Sequence, residues 1–194
     1  TEPIERWMVF LTNQGTDDHI IRNTTKLIPN QSYSITGTVI SNPRHIEGSH
    51  VLIDLSTRHG TVTCAAYEPS KEFRYTLDWL VPGDVVEVLG ELRDLPRTLN
   101  IEKIHVISTV DEYRKVSNPI CPICSRTMKS IGKGEGFKCK KCHTRSSVPV
   151  SMKVSRQIVP GWYEPPTAAR RHLSKPLKRM GLEQLVEFVN SRTL

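Results

Sequence analysis

Four cysteines carry the clearest chemical signal in the 194-residue chain. Cys121 and Cys124 bracket Pro122-Ile123, fourteen residues follow, and Cys139 and Cys142 bracket Lys140-Lys141. A CxxC pair sets two thiolates on one tight knuckle, and two knuckles can close a tetrahedron around one Zn. The spacing is one residue short of the usual window. Hairpin length absorbs that difference, and Gly132, Gly134 and Gly136 supply the turn. Two disulfides would need an oxidising compartment, and no export segment is visible. A redox CxxC would need a βαβ setting, which the sequence lacks. Zinc is the preferred reading, and four thiolates leave no position for a water, so its role is structural. The fifth cysteine, Cys64, alternates in phase with Val62 and Ala66 and reads as a core thiol.

Charge is segregated around those cysteines. Residues 1–118 hold 12 Lys/Arg and 16 Asp/Glu, a net of −4; residues 119–194 hold 15 and 4, a net of +11. Between Arg126 and Arg179 only Glu135 and Glu164 interrupt 14 basic residues. Such a field attracts polyanions, of which nucleic acid is the commonest. The bland alternative is a solvated basic surface. The candidate RNA contacts on the ribbon are Lys129, Lys133, Lys138, Lys140, Lys141 and Arg145. In the tail they are Arg170, Arg171, His172, Lys175, Lys178 and Arg179. The rings of Phe137, His143, Trp162, Tyr163 and His172 lie within this block.

The elements that must position these residues begin near Tyr33. Tyr33, Ile35, Gly37 and Val39 alternate along a first strand, Val51, Ile53 and Leu55 along a second, and Val62, Cys64 and Ala66 along a third. Phe73, Leu77 and Leu80 fall at helical spacing. Val86, Val88, Gly90 and Leu92 then make a fourth strand, and Leu99 and Ile101 open a fifth. The phase of the fifth slips before Ile104 and Val106, as at a bulge. Three strands, a short helix and two strands is the order of an OB-fold, with Gly37 at its sharp bend. Such barrels hold oligonucleotides on strands two and three and the adjoining loops. The candidate contacts there are Arg44, Arg58 and Tyr67, with His45 and His59 beside them. A lone Arg or His on a loop is more often solvated than bound.

The fold class is therefore mainly β: a five-stranded OB-fold barrel, then a zinc ribbon, then a basic tail with a short helix. The divisions are 1–26, the end of an upstream domain; 27–112, the barrel; 113–150, the ribbon; and 151–194, the tail. Trp7-Met8-Val9-Phe10-Leu11 is strand-like, packing on the barrel or completing an upstream domain, and Asp17, Asp18 and His19 read as loop or cap rather than metal ligands. Pro160 to Pro166 reads as a stiff linker, Thr167 as the cap of a turn carrying Arg170, Arg171 and His172. Leu182, Leu185, Val186 and Val189 read as an amphipathic helix. No apolar run approaches the roughly 20 residues of a membrane span, so no membrane partner is expected. No GxxxxGK[ST], GxGxxG or GxSxG motif occurs. With neither an initiator Met nor a signal segment, the chain reads as a fragment of something longer.

Four segments together are more specific than either module. They are Phe10-Leu-Thr-Asn-Gln-Gly-Thr-Asp-Asp-His19, Gly37-Thr-Val-Ile-Ser-Asn-Pro43, the paired CxxC motifs, and Pro165-Pro-Thr-Ala-Ala-Arg-Arg-His-Leu-Ser-Lys175. In these the chain resembles the C-terminal half of the archaeal tRNA(Ile) 2-agmatinylcytidine synthetases, over essentially its whole length. The resemblance implies a cytoplasmic, ATP-using ligase that joins agmatine to the wobble cytidine of a CAU-anticodon isoleucine tRNA, so that it reads AUA. It implies that residues 1–26 end a ferredoxin-like domain, and that the kinase-like catalytic domain is missing, leaving this chain inactive alone. It carries the four cysteines over as zinc ligands and the basic ribbon and tail as tRNA-binding surface. It assigns no catalytic residue here. Two other classes stay open: a free-standing single-stranded nucleic-acid-binding protein, and an adaptor that docks on a larger enzyme.

Overall fold

The computed structural model describes residues 3–182. In chain order the strands are β1 (Ile20–Ile21), β2 (Gln31–Val39), β3 (Arg44–Ile46), β4 (His50–Thr57), β5 (Gly60–Ala66), β6 (Val85–Leu92), β7 (Leu99–Ser108), β8 (Glu112–Ser117), β9 (Lys129–Ser130), β10 (Phe137–Lys138), β11 (Arg145–Ser146), β12 (Val150–Val154) and β13 (Gly161–Tyr163). Helical structure is sparse: 3-10 turns at Glu68–Arg74, Thr167–Ala169 and Leu177–Met180, and a single α-turn, α1 (Tyr75–Asp78). No described helix is long and apolar enough to cross a membrane.

Strands β2, β6, β7, β5 and β4 form a closed cycle, because β2 pairs with both β6 and β4. The β5–β7 pair is parallel and the other four are antiparallel. This is the five-stranded Greek-key barrel of an OB-fold, and the alternation in sequence marks its inward face. Tyr33, Ile35 and Val39, Ile53 and Leu55, Cys64, Val86 and Val88, and Leu99 and Ile104 fill one core, sealed by Phe73, Leu77 and Leu80. Cys64 is fully buried, and burial pushes its thiol well above the ordinary range, which fits a packing role. Gly37 is required by a close approach rather than by a bend. A Cβ there would stand 2.8 Å from the Ser56 carbonyl oxygen on β4.

The expected bulge lies in β7. Leu89 pairs with Lys103 and Gly90 with Ile101, so Glu102 is the extra residue. Ile101 and Ile104 stay in the core, while Lys103, also fully buried, stands opposite Leu89, out of phase with the core-facing Val86 and Val88. Glu102 and Lys103 thus stand as neighbours outside that core.

Two of the expected divisions do not fall where the sequence suggested. The described residues separate into one unit of residues 3–110 and 158–182 and a second of residues 111–157. Residues 15–21 belong with the barrel, since β1 pairs in parallel with β2. Residues 3–14 form no strand, and Trp7 to Leu11 are exposed. The stretch from Pro160 is no linker. Gly161–Tyr163 pairs with β7, and Ile158 and Tyr163 enter the barrel core, because a β-capable Trp-Tyr pair finds an unpaired strand edge there. Thr167 is not a cap; it is the first residue of the 3-10 turn, whose N-cap is Pro166 with no side-chain hydrogen bond, and Arg170 to His172 follow it. The ribbon unit is an insertion between β7 and β13, entered by β8 and left by β12, which pair with each other. The amphipathic pattern beyond Leu182 lies outside the described residues.

Gly37→Ala should destabilise the barrel by about 1–3 kcal/mol, because the contact is with backbone and cannot rotate away. Urea unfolding checks this; an unchanged midpoint would contradict the close approach.

Candidate functional site

The two CxxC knuckles fold alike. The amide of Ser125 donates to the Cys121 carbonyl at 2.9 Å, and Cys121 donates to the Arg126 carbonyl at 2.8 Å. In the second, His143 donates to the Cys139 carbonyl at 3.0 Å and Cys139 to the Thr144 carbonyl at 2.9 Å. The residue after each second cysteine, Ser125 or His143, takes a left-handed conformation. Each knuckle therefore turns two sulfurs to one side. All four ligand sulfurs lie within 4.8 Å of one another, with Cys124 and Cys139 Sγ 3.5 Å apart. A tetrahedral Zn–S bond of about 2.3 Å implies sulfur separations of about 3.8 Å, so the cluster fits one Zn.

The apolar core of this unit is small: Cys121, Met128, Phe137 and Cys139. Phe137 also lies under the Lys115 ammonium, 4.7 Å from its ring centroid. So few buried side chains offer little folding energy, and a metal supplies the rest. Backbone N–H groups, first that of Ile123, pull the Cys121 thiol down to about 6. The neighbouring Cys124 sulfur pushes Cys142 up to about 12. Four thiolates repel when no cation sits among them, and a dication reverses that balance.

The basic residues fall into two groups. Among the described residues, Lys129, Lys133, Lys138, Lys140, Lys141 and Arg145 make no ion pair; all but half-buried Lys138 are exposed. The tail differs. Arg170 binds Glu164 at 2.8 Å, and Arg171 binds Glu102 at 2.7 Å and Glu91 at 3.1 Å. The Lys175 amide donates to Asp17 at 2.6 Å, and its carbonyl accepts from Lys103 Nζ at 2.6 Å. These contacts anchor the tail on the barrel. His172, Lys178 and Arg179 remain exposed.

The bulge is the anchor point. Glu102 takes Arg171 with one oxygen and His19 Nε2, at 2.9 Å, with the other. Lys103 Nζ reaches Asp17 at 2.9 Å and the Lys175 carbonyl. Backbone bonds from Gly15 to the His172 carbonyl (2.8 Å) and from Asp17 to that of Leu173 (3.1 Å) stitch the same two segments. Asp17 and His19 are thus structural, while Asp18 is exposed. The sequence reading missed Glu102, Lys103, Glu91 and Glu164. The signal was present: two charged residues sit together at the phase slip.

On the barrel, Arg44 forms a bidentate pair with Asp54, which lowers the Asp54 carboxyl below its usual range. Arg58 donates to the Thr24 carbonyl at 2.9 Å, and half-buried Tyr67 contacts His50 edge-on. Of the rings in the basic block, Phe137 and Tyr163 are buried, and Trp162 stacks on His105 with centroids 4.5 Å apart.

Fold and site define a class: an OB-fold barrel with an inserted tetrathiolate zinc ribbon that carries exposed cations. Residues 118–158 match the family described as the TiaS C-terminal zinc ribbon domain. The chain is 46% identical to the isoleucine-tRNA 2-agmatinylcytidine synthetase TiaS of Archaeoglobus fulgidus over 185 residues, covering 94% of this chain and 43% of that protein. It is 47% identical to the TiaS of Methanosarcina mazei over 181 residues, covering 92% and 42%. Among solved structures, a complex of TiaS with its isoleucine tRNA and ATP superposes with a TM-score of 0.75 at 44% identity, covering 92% of this chain and 42% of that one. A complex of TiaS with the same tRNA, AMPCPP and agmatine gives 0.75 at 42% identity, covering 94% and 42%. The chain corresponds in sequence to the C-terminal half of TiaS and spans about two-fifths of the length of these relatives. The ribbon is a structural zinc site.

Two outcomes follow. Zinc affinity should weaken as pH falls from 8 to 6, because Cys142 must release its proton on binding; each proton released costs about 1.4 kcal/mol per pH unit. Competition with a chromophoric chelator measures this, and a pH-independent affinity would contradict it. Lys103→Met should cost about 3 kcal/mol by leaving Asp17 unpaired, with part recovered in Lys103→Met/Asp17→Asn. Equal losses in both variants would argue against the pair.

Proposed function

We propose that this chain is the tRNA-binding C-terminal part of an ATP-dependent ligase. That ligase joins agmatine to the wobble cytidine of a CAU-anticodon isoleucine tRNA, which then decodes AUA. The observation that carries the reading is similarity over 92% to 94% of the chain to proteins solved with an isoleucine tRNA, ATP, and AMPCPP with agmatine.

The physical demands of the reaction agree with the modules. Chemistry on a base takes that base out of its stack, so the enzyme must grip the RNA elsewhere. In this reading Cys121, Cys124, Cys139 and Cys142 hold the zinc that fixes the ribbon. Lys129, Lys133, Lys138, Lys140, Lys141 and Arg145 then offer phosphate contacts that no carboxylate competes for among the described residues. The barrel adds a docking face through Arg58, Tyr67 and Arg44 of β3, although Asp54 already neutralises Arg44. The exposed run from Trp7 to Leu11 continues into a preceding ferredoxin-like domain. The residues that act chemically on ATP and agmatine belong to the portion of the relatives this chain does not span, so the chain binds tRNA without turnover. The setting is the cytoplasm, where tRNA is modified and used.

Competition at fixed salt between a CAU-anticodon isoleucine tRNA transcript and poly-dT of equal phosphate count tests this. The tRNA should win, and Lys140→Glu/Lys141→Glu should weaken it and lower the salt slope by about one unit per lost contact. Preference for poly-dT would indicate a single-strand-binding protein instead. Binding to neither would favour an adaptor.

A further inference from the structure

The clamp at the bulge borders a cleft. One wall is the loop Thr12 to Gly15 and the other runs from Thr167 to Arg179, enclosing about 590 Å³. Arg170, Arg171, Arg179 and His172 line it, with hydroxyl and amide groups between them, and none of its described lining side chains is acidic. The carboxylates that hold Arg170 and Arg171, namely Glu164, Glu91 and Glu102, are not among the lining residues.

The three arginines are not equivalent. Every contact described for the Arg170 and Arg171 guanidinium groups uses Nη1, which leaves donors on the remaining nitrogens of each. Arg179 makes no side-chain hydrogen bond or ion pair among the described residues. Its guanidinium lies beside Gly15, whose left-handed backbone (φ +65°) carries no side chain; a Cβ there would come within 2.8 Å of Arg179 Nη1. The Gly15-to-His172 backbone bond fixes the walls at this point. Arg170 and Arg171 are engaged from behind by carboxylates, so the open donors are Arg179 and the remaining nitrogens of the other two; guanidinium donors of this kind suit a phosphoryl group, bound by charge-assisted hydrogen bonds.

We propose that this cleft is a phosphate-binding subsite, with Arg179 as the free donor and Arg170 and Arg171 as donors held in place from behind. The ligand is a phosphate-bearing one, either a segment of RNA backbone or the phosphate chain of a nucleoside triphosphate. The RNA source rests on the tRNA-binding reading above; the subsite itself does not.

The experiment titrates the whole chain with inorganic tripolyphosphate, ATP and the tRNA transcript. The proteins are the natural sequence, Arg179→Gln, and the ribbon variant Lys140→Gln/Lys141→Gln. Arg179→Gln should bind tripolyphosphate about tenfold more weakly, the value of one lost charge-assisted contact, with the ribbon variant unchanged. Arg179 is exposed, so the thermal midpoint should not move. A parallel loss for tRNA, with a shallower salt slope, assigns the subsite to RNA backbone; loss for ATP with tRNA unchanged assigns it to the nucleotide. Tripolyphosphate binding that is undetectable, or equal in the natural sequence and Arg179→Gln, overturns the subsite. A ribbon variant that binds tRNA normally would count against the tRNA reading and leave the subsite standing.

Discussion

One extra residue in a barrel strand organises much of this unit. The bulge at Glu102 breaks the alternation of β7, so Glu102 and Lys103 stand side by side outside the apolar core. Neither charge is left to solvent. Lys103 is fully buried, and removing a charge from water is costly unless it is paired and hydrogen-bonded. Asp17 and the Lys175 carbonyl provide that pairing, and both come from segments that make no strand of their own. The geometry demanded by two adjacent ions is therefore what fixes loop 15–18 against residues 171–175. Strand β13 continues the same principle with backbone bonds.

The ribbon obeys a different logic. Around the cysteines, strands β9, β10 and β11 are two residues each and the apolar core is four side chains, so neither burial nor pairing makes the knuckles firm. Zinc takes over the part played in the barrel by the hydrophobic core. The outer surface is then free of structural duty. That is why cations unpaired among the described residues concentrate there, whereas the tail arginines are engaged by carboxylates.

Much of this was legible in the residues themselves. Period-2 alternation identified each barrel strand, because one face is buried and the other wet, and the bulge showed as a slip of phase. The cysteine spacing gave the metal cluster. The tail was not legible for a physical reason. Arg170 and Arg171 look the same in sequence whether they face a phosphate or a carboxylate, and their partners Glu102, Glu91 and Glu164 are supplied by topology. Gly161-Trp162-Tyr163 sits between prolines and reads as linker; only the open edge of β7 makes it a strand. Trp7 to Leu11 carries strand-forming residues yet forms no strand among the described residues.

Hydrogen exchange read on the amides of Gly15, Asp17 and Lys175, in the natural sequence and in Lys103→Met, tests the central claim most directly. If the bulge clamps the tail, these amides are protected together in the natural sequence. They should then exchange faster together in the variant, while amides of the β2–β6 ladder keep their protection. Unchanged protection at Gly15, Asp17 and Lys175 in the variant would contradict the account, since the tail would then be held by something other than the charges at the bulge.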